Sequence, residues 1–292
     1  MRHGTIVVRP REMVRLVDHV KAHLVVVPVS QIGGLIAAGK ICVGARVGRM
    51  AEPVEPEAVI TVDPAALAAH ALVPEDVPLV IHHEDADLLI CDKPAGMHVH
   101  PIGAHHTGTL LNALLWHCGA RPEKPWAAWR PAPVHRLDRA ASGLVAIAKA
   151  ASIHDAIRRM FAAGGIHRRY RALVHGRVQG DAGTVDAPLG RDPAFDYRRA
   201  IVPVASGGQP AVTHWTVVER SADRTLVELT LETGRTHQIR AHLASLGHPI
   251  VGDTLYRERQ PEGSAPAISL HATELRLRHP RTGVELVCTS RP

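Results

Sequence analysis

Three stretches of this chain carry residue types that do chemistry. The first is His135-Arg136-Leu137-Asp138-Arg139-Ala140-Ala141-Ser142-Gly143-Leu144. Asp138 stands between two arginines, ahead of a turn of small residues and an apolar run. Cations close to a carboxylate favour its charged form, and a charged, poorly solvated carboxylate suits nucleophilic or base chemistry. A structural aspartate that caps a loop and pairs with arginine fits the same residues. The second stretch is Thr233-Gly234-Arg235-Thr236-His237-Gln238-Ile239-Arg240. Arg235 falls at a strand-to-helix junction and Arg240 one helical turn on, with Ile239 and Leu243 as a buried stripe. The helix N-terminus and two guanidinium groups make one positive locus, able to hold a phosphate or to neutralise a buried carboxylate. A solvated helix face is the plainer reading. The third is Asp92-Lys93-Pro94-Ala95-Gly96, a turn after an apolar strand that can present amides and a cation to a ligand.

The elements that must position these residues read as α+β. Leu88 to Cys91 and Leu144 to Ala148 are short apolar strands. Ile153, Ile157, Met160 and Phe161 fall at helical spacing and stop at Gly164-Gly165. Arg169 to Val174 follows as a strand. Thr213 to Glu219 and Thr225 to Leu231 form a hairpin in which Val227, Leu229 and Leu231 alternate with polar residues, the pattern of an antiparallel sheet with one wet face. A helix with Ile239, Leu243 and Leu246 ends at Gly247. A mixed, mainly antiparallel sheet with flanking helices is expected over residues 79–292. No glycine-rich phosphate loop follows a strand, so a dinucleotide-binding fold has no support.

Residues 1–62 read as a small module of their own. Val14, Leu16, Val17, Val20 and Leu24 suggest an amphipathic helix. Pro28 interrupts, and Ser30 is placed to cap a second helix through Ile36, ending at Gly39. Short strands follow at 40–44 and 59–62. Residues 63–78, with Pro64, Pro74, Pro78 and an Ala-rich run, read as a linker with one helical turn.

The chain has 292 residues, of which 46% are apolar and 21% charged, so wholesale disorder is excluded. Its formal net charge of +6 is compatible with a polyanionic partner. Only 3% of residues are aromatic, so a surface that stacks successive bases on Phe and Tyr is poorly supported. Binding of nucleic acid must lean on arginine, backbone amides and shape. Four widely spaced cysteines with no Cys-x-x-Cys pair read as small buried hydrophobes. His98, His100, His105 and His106 lack the helical spacing of a zinc hydrolase, so no metal is expected. With no apolar signal core and no apolar run of membrane-spanning length, a cytoplasmic protein is expected, and a monomer is the default.

Taken in order, the three stretches resemble the large, RluA-type pseudouridine synthase family that modifies ribosomal and transfer RNA, often joined to an N-terminal S4 module. The family pattern also has a tyrosine after the Asp segment, here Tyr170, and a closing segment matched by Gly247-His248-Pro249-Ile250-Val251-Gly252-Asp253-Thr254-Leu255-Tyr256. The resemblance runs from about residue 79 to the C-terminus. The first 62 residues match an S4-type RNA-binding module loosely, with Gly33 and Gly34 where basic residues are customary. Ala140 and Ala141 replace the acidic residue and threonine usual before Ser-Gly, from which a less rigid catalytic loop is expected.

The resemblance implies isomerisation of uridine in rRNA or tRNA to pseudouridine, with the base extruded and no cofactor. Asp138 would attack C1′ or remove the 2′ proton. Arg235 is the first choice for the cation beside Asp138 and Arg240 the second. Tyr170 would stack on the base and pass on the C5 proton, and Arg136 would fill the gap left in the RNA. His135, Lys93 and His237 would meet RNA or substrate, and Leu137, Leu144 and Ile239 would wall the pocket. A glycosidase needs a second carboxylate, and the natural position for it holds Ala140. An RNA-binding or ribosome-assembly factor whose synthase domain has weakened is the alternative raised by Ala140 and Ala141.

Overall fold

Leu16, Val20 and Leu24 recur at helical spacing and are wholly buried, and the helix they anchor runs Leu16–His23. The structure, a computed structural model, describes residues 6–63, 65, 72–102, 105–121, 126–195, 197–256 and 267–292. The chain divides into two units: Met1–Leu79, His100–Pro133 and Ile147–His154 form one, and Val80–Val99, Val134–Ala146 and Asp155–Pro292 form the other.

In the first unit a second helix runs Val29–Ala37, with Pro28 as its N-cap. The cap expected at Ser30 therefore moves two residues back, because proline's fixed φ suits a helix start and leaves no backbone donor unpaired. Gly39, at φ 69°, ends the helix. Beside the helices lies an antiparallel sheet in the order Ile6–Val8, Ile60–Val62, Ile41–Val43, Arg46–Val47. The strand at Ile6–Val8 was not anticipated. The core of this unit does not stop near residue 62: Leu16, Ile32, Ile41 and Ile60 are packed with Leu115, Cys118, Ala120 and Trp126. Leu72, from the expected linker, packs on the same core and donates its N–H to the Val26 carbonyl at 2.7 Å. The helical turn expected in the Ala-rich run falls largely on residues 66–71, outside the described residues.

Arg130 fastens the same unit. Its guanidinium donates to the carbonyls of Lys21, Leu24, Val25 and Val27, where the helix Leu16–His23 leaves its last acceptors unpaired. Burial lowers the pKa of Arg130 to about 10, yet the group is charged at neutral pH.

The second unit is built on a sheet whose strands run in the order Ala182–Asp186, Val212–Arg220, Arg224–Leu231, Ile166–His175, Leu270–Arg278, Ser142–Ala148, Leu88–Lys93, Val80–Glu84. Most neighbours are antiparallel, and Ser142–Ala148 pairs in parallel with Leu270–Arg278. The fold is α+β, as read from the sequence. Along Arg224–Leu231 the buried positions alternate as expected. Gly143 has a specific task here. Its φ is 112°, and a Cβ at this position would lie 2.4 Å from the Ala272 carbonyl oxygen, so only glycine lets the two parallel strands meet. The helix after the second motif runs Gln238–Ser245, with Ile239 and Leu243 buried. Leu246, expected on its apolar side, lies beyond its end and is 41% exposed.

Candidate active site

The turn Lys93–Gly96 is the floor of the loop that carries Asp138. Lys93 has no exposed surface. Its Nζ donates to the carbonyls of Pro94 at 2.8 Å, Met97 at 2.9 Å, Arg139 at 3.3 Å and Ala141 at 2.6 Å. Gly96 adds an N–H to the Arg139 carbonyl at 2.7 Å, and Arg139 returns its Nε–H to the Gly96 carbonyl at 3.1 Å. The expectation that Lys93 meets RNA is corrected by this geometry, since all its reach is used on the backbone. The clamp acts on carbonyls, so the alanines at 140 and 141 leave it intact, and the looser loop expected from them is braced from below. Burial lowers the Lys93 pKa to about 8, against the pull of the Asp138 charge.

Asp138 is mostly buried and faces Arg240, whose Nη1 lies 3.3 Å from its Oδ2. Arg240 is itself held by Asp253, through Nε–H to Oδ2 at 2.7 Å and Nη2–H to Oδ1 at 2.8 Å. Burial works against the charge on Arg240, but the hydrogen bonds and charges of Asp253 and Asp138 outweigh it and its pKa is raised. His237 closes the cluster. Its Nε2 is 4.0 Å from Asp138 Oδ1, and its Nδ1 lies 3.2 Å from the Tyr256 hydroxyl. Burial lowers the His237 pKa, with the Asp138 charge opposing, so the ring is neutral at pH 7. His237 sits at φ 56°, a left-handed conformation rare for a residue with a side chain and common where function imposes strain. The neighbouring Gln238 makes that turn rigid: its Oε1 accepts from Thr233 Oγ1 and the Arg235 N–H, and its Nε2 donates to the Val212 carbonyl.

Tyr170 comes from the strand Ile166–His175 at a register shift between Arg169 and Tyr170. Bulges of this kind re-aim side chains beside functional sites. The ring is 5% exposed and burial raises its pKa, against the nearby Arg168 charge, so the phenol is protonated at neutral pH. His135 accepts the Ala146 N–H on Nε2 at 3.1 Å and packs edge-on against Phe161. Burial, helped by Arg168, pushes its pKa down to about 3.

These groups surround one cavity of about 740 Å³, a size suited to a nucleotide. Of the expected site residues, Asp138, Tyr170, Arg235, Arg136, Arg240, His135, His237, Leu137 and Ile239 all line it, and Lys93 does not. Leu144, expected in the wall, is buried in its strand instead. The order given to the two arginines reverses. Arg240 meets Asp138, while Arg235 is exposed, donates its Nε–H to the Pro210 carbonyl at 3.1 Å, and makes no ion pair with Asp138 among the described residues. The reason is local: Arg235 lies in the turn, on its wet side, whereas Arg240 is on the buried face of the helix. Asp253, Tyr256, Arg168 and Phe161 are further parts of the site. Asp253 and Tyr256 belong to the closing motif Gly247–Tyr256, which by itself assigns them no role. Arg168 and Phe161 belong to none of the motifs; they reach the site from the start of the strand Ile166–His175 and the end of the helix Ala151–Ala162 just before it. Among the described residues no three histidine, cysteine or acidic side chains cluster as metal ligands.

A family model described as RNA pseudouridylate synthase matches residues 87–245. The chain is 39% identical over 257 residues to the uncharacterized RNA pseudouridine synthase YlyB of Bacillus subtilis, covering 87% of this chain and 82% of that protein. It is 37% identical over 269 residues to the ribosomal large subunit pseudouridine synthase D of Pseudomonas aeruginosa, covering 88% and 82%. The solved structure of human RNA pseudouridylate synthase domain containing 1 superposes with a TM-score of 0.61 at 26% identity, covering 75% of this chain and 85% of that one. The class is that of α+β isomerases acting on RNA. The chain belongs to the RNA pseudouridylate synthase family and converts uridine in RNA to pseudouridine.

Proposed function

We propose that this enzyme modifies uridine in large-subunit ribosomal RNA, in the cytoplasm, with Asp138 as the reacting group. The observation that carries the reading is the Asp138 carboxylate facing a nucleotide-sized cavity with Arg240 on one side and Tyr170 lining the same space. The similarity to the Pseudomonas aeruginosa enzyme named for the large subunit supports the choice of RNA.

The reaction breaks the C1′–N1 bond, turns the uracil and joins C1′ to C5; the C5 proton is lost and N1 gains one, so nothing is oxidised and nothing hydrolysed. Asp138 works on the ribose side, as nucleophile at C1′ or as base for the 2′ proton; both routes use the same carboxylate. Arg240 positions it and balances its charge. The neutral Tyr170 phenol stacks on uracil and relays the C5 proton. A paired uridine is out of reach, so the base leaves its stack at a cost of a few kcal/mol, and the exposed Arg136 at the cavity mouth takes the vacated space. Leu137 and Ile239, both buried against the cavity, keep water from C1′ until the base is rejoined.

Asp138→Asn is expected to bind a large-subunit rRNA transcript nearly as well as the wild type and to form no pseudouridine, read by carbodiimide adducts. Equal loss of binding and turnover would make Asp138 a structural residue. Mapping of pseudouridine in rRNA from cells with and without the gene identifies the uridine, and an unchanged rRNA map would overturn the choice of RNA.

A further inference from the structure

Next to the nucleotide cavity lies a second, smaller one of about 220 Å³. Arg235 and Thr236 line both. The other cations of the smaller cavity are Arg191 and Arg199. These two face each other directly across the short antiparallel pair Leu189–Arg191 and Arg199–Ile201. Like charges placed directly opposite on a sheet repel, and among the described residues neither side chain has a carboxylate partner. Asp192, next to Arg191 in the chain, is taken by Arg198 at 2.6 Å. Asp192 also accepts the Ala194 N–H, so the end of the hairpin is braced and the two arginines are held side by side.

The hairpin is also joined to the reacting cluster. The Arg199 N–H donates to the Tyr256 hydroxyl at 2.9 Å, and that hydroxyl lies 3.2 Å from His237 Nδ1. Among the described residues the Arg235 guanidinium bonds through Nε alone, to the Pro210 carbonyl, which leaves its two terminal nitrogens for a ligand. Three arginines line this one small space, and guanidinium forks are the donors that suit a phosphate oxyanion. An extruded nucleotide brings its backbone phosphates with it, and phosphate contacts fix register on RNA.

We propose that Arg191, Arg199 and Arg235 form a seat for one backbone phosphodiester of the RNA, adjoining the uridine held in the larger cavity. The seat deepens the reading of this chain as an enzyme on uridine in RNA and rests on it. Its task is to hold the strand in the turned-out path, and it accounts for Arg235 being at the cavity but not on Asp138.

The test uses the full chain and a transcript of large-subunit rRNA. The double variant Arg191→Gln/Arg199→Gln is compared with wild type for RNA affinity over a salt series, and for KM and kcat of pseudouridine formation. The expected result is a KM raised about tenfold, a kcat at saturating RNA within about threefold, and a salt slope smaller by about 0.7–0.9, the share of one phosphate. Arg278→Gln, an exposed arginine away from both cavities, is expected to leave the slope unchanged. An unchanged slope and KM in the double variant overturns the seat, as does an equal shift in Arg278→Gln. If the double variant does not fold, Arg235→Gln alone is read by the same slope. Wild-type protein that forms no pseudouridine in any RNA sinks the enzymatic reading instead, and the binding slope still decides on the seat.

Discussion

Asp253 holds Arg240 side-on, with two hydrogen bonds of 2.7 and 2.8 Å from one guanidinium edge. The contact Arg240 makes with Asp138 is longer, at 3.3 Å. The wholly buried Asp253 therefore fixes the arginine, and the arginine in turn offers one nitrogen to the Asp138 carboxylate. Two anions share one cation, which keeps Asp138 near positive charge without locking it in a tight pair.

Asp253→Ala removes the anchor and leaves a buried guanidinium with one loose partner. Breaking a buried pair costs about 3–5 kcal/mol, and a reacting group misplaced by about 1 Å loses about 10²-fold in rate. The expected outcome is a lower urea midpoint together with a kcat reduced by about two orders of magnitude. Asp253→Asn, which keeps one acceptor oxygen but turns an NH2 donor toward the other guanidinium N–H, is expected to recover stability more than rate. A kcat equal to wild type in either variant would mean that Asp253 plays no part in the site.

Lys93→Met tests the clamp beneath the loop. Methionine fills similar volume but leaves the carbonyls of Pro94, Met97 and Ala141 without the Lys93 donor, while the Arg139 carbonyl keeps the Gly96 N–H. Each buried acceptor left unpaired costs about 1–3 kcal/mol, so a loss of at least ~3 kcal/mol is expected by urea unfolding. RNA affinity measured on the folded protein should change little, because the ammonium is not at the surface. A variant that keeps its stability and loses RNA affinity would restore Lys93 to the binding surface.

Residues that line the cavity were legible where a motif is short and continuous: Asp138 and Arg240 stand in such runs, Tyr170 came from the family pattern, and the alternation along Arg224–Leu231 marked the antiparallel sheet. Which arginine reaches Asp138 was not legible. Arg235 and Arg240 are five positions apart, and only the placement of the left-handed residue at His237 decides which one turns inward. Lys93 was misread for a similar reason. A lysine in a turn looks exposed until the backbone folds four carbonyls around it. The reach of the first unit was hidden because Leu115, Trp126 and Arg130 join it from far along the chain.

Deleting residues 1–62 is a test of that shared core. The truncated chain would expose Leu115, Ala120 and Trp126, all buried in the intact protein, at a cost of about 1.5–3 kcal/mol for each large apolar side chain. Arg130 would also lose every carbonyl it now serves. The expected outcome is a lower Tm and binding of a hydrophobic dye, beyond any loss of RNA affinity. A truncated chain with unchanged Tm would mean that the module is independent and that residues 100–133 fold without it.

Burial lowers the pKa of His19 to about 4 and of His135 to about 3, from an ordinary value of 6.5; for His19 the neighbouring His23 adds to the effect, and for His135 Arg168 does. Burial also lowers His237, His242 and His271. Between the folded and unfolded values the unfolded chain binds more protons. Stability from these rings is therefore complete above about pH 6.5 and is lost as the pH falls toward 4. Each proton taken up on unfolding contributes a slope of about 1.4 kcal/mol per pH unit. The carboxylates lie lower: Asp85, held down to about 2 by backbone hydrogen bonds against its desolvation, adds its loss only below about pH 4. Urea midpoints should thus fall steadily from pH 7 to 4.5. His135→Gln, with one titrating ring fewer, should show a shallower fall even though it begins from a lower midpoint, since the Ala146 N–H loses its best acceptor. Midpoints that stay level from pH 7 to 4.5 would place these rings in contact with water.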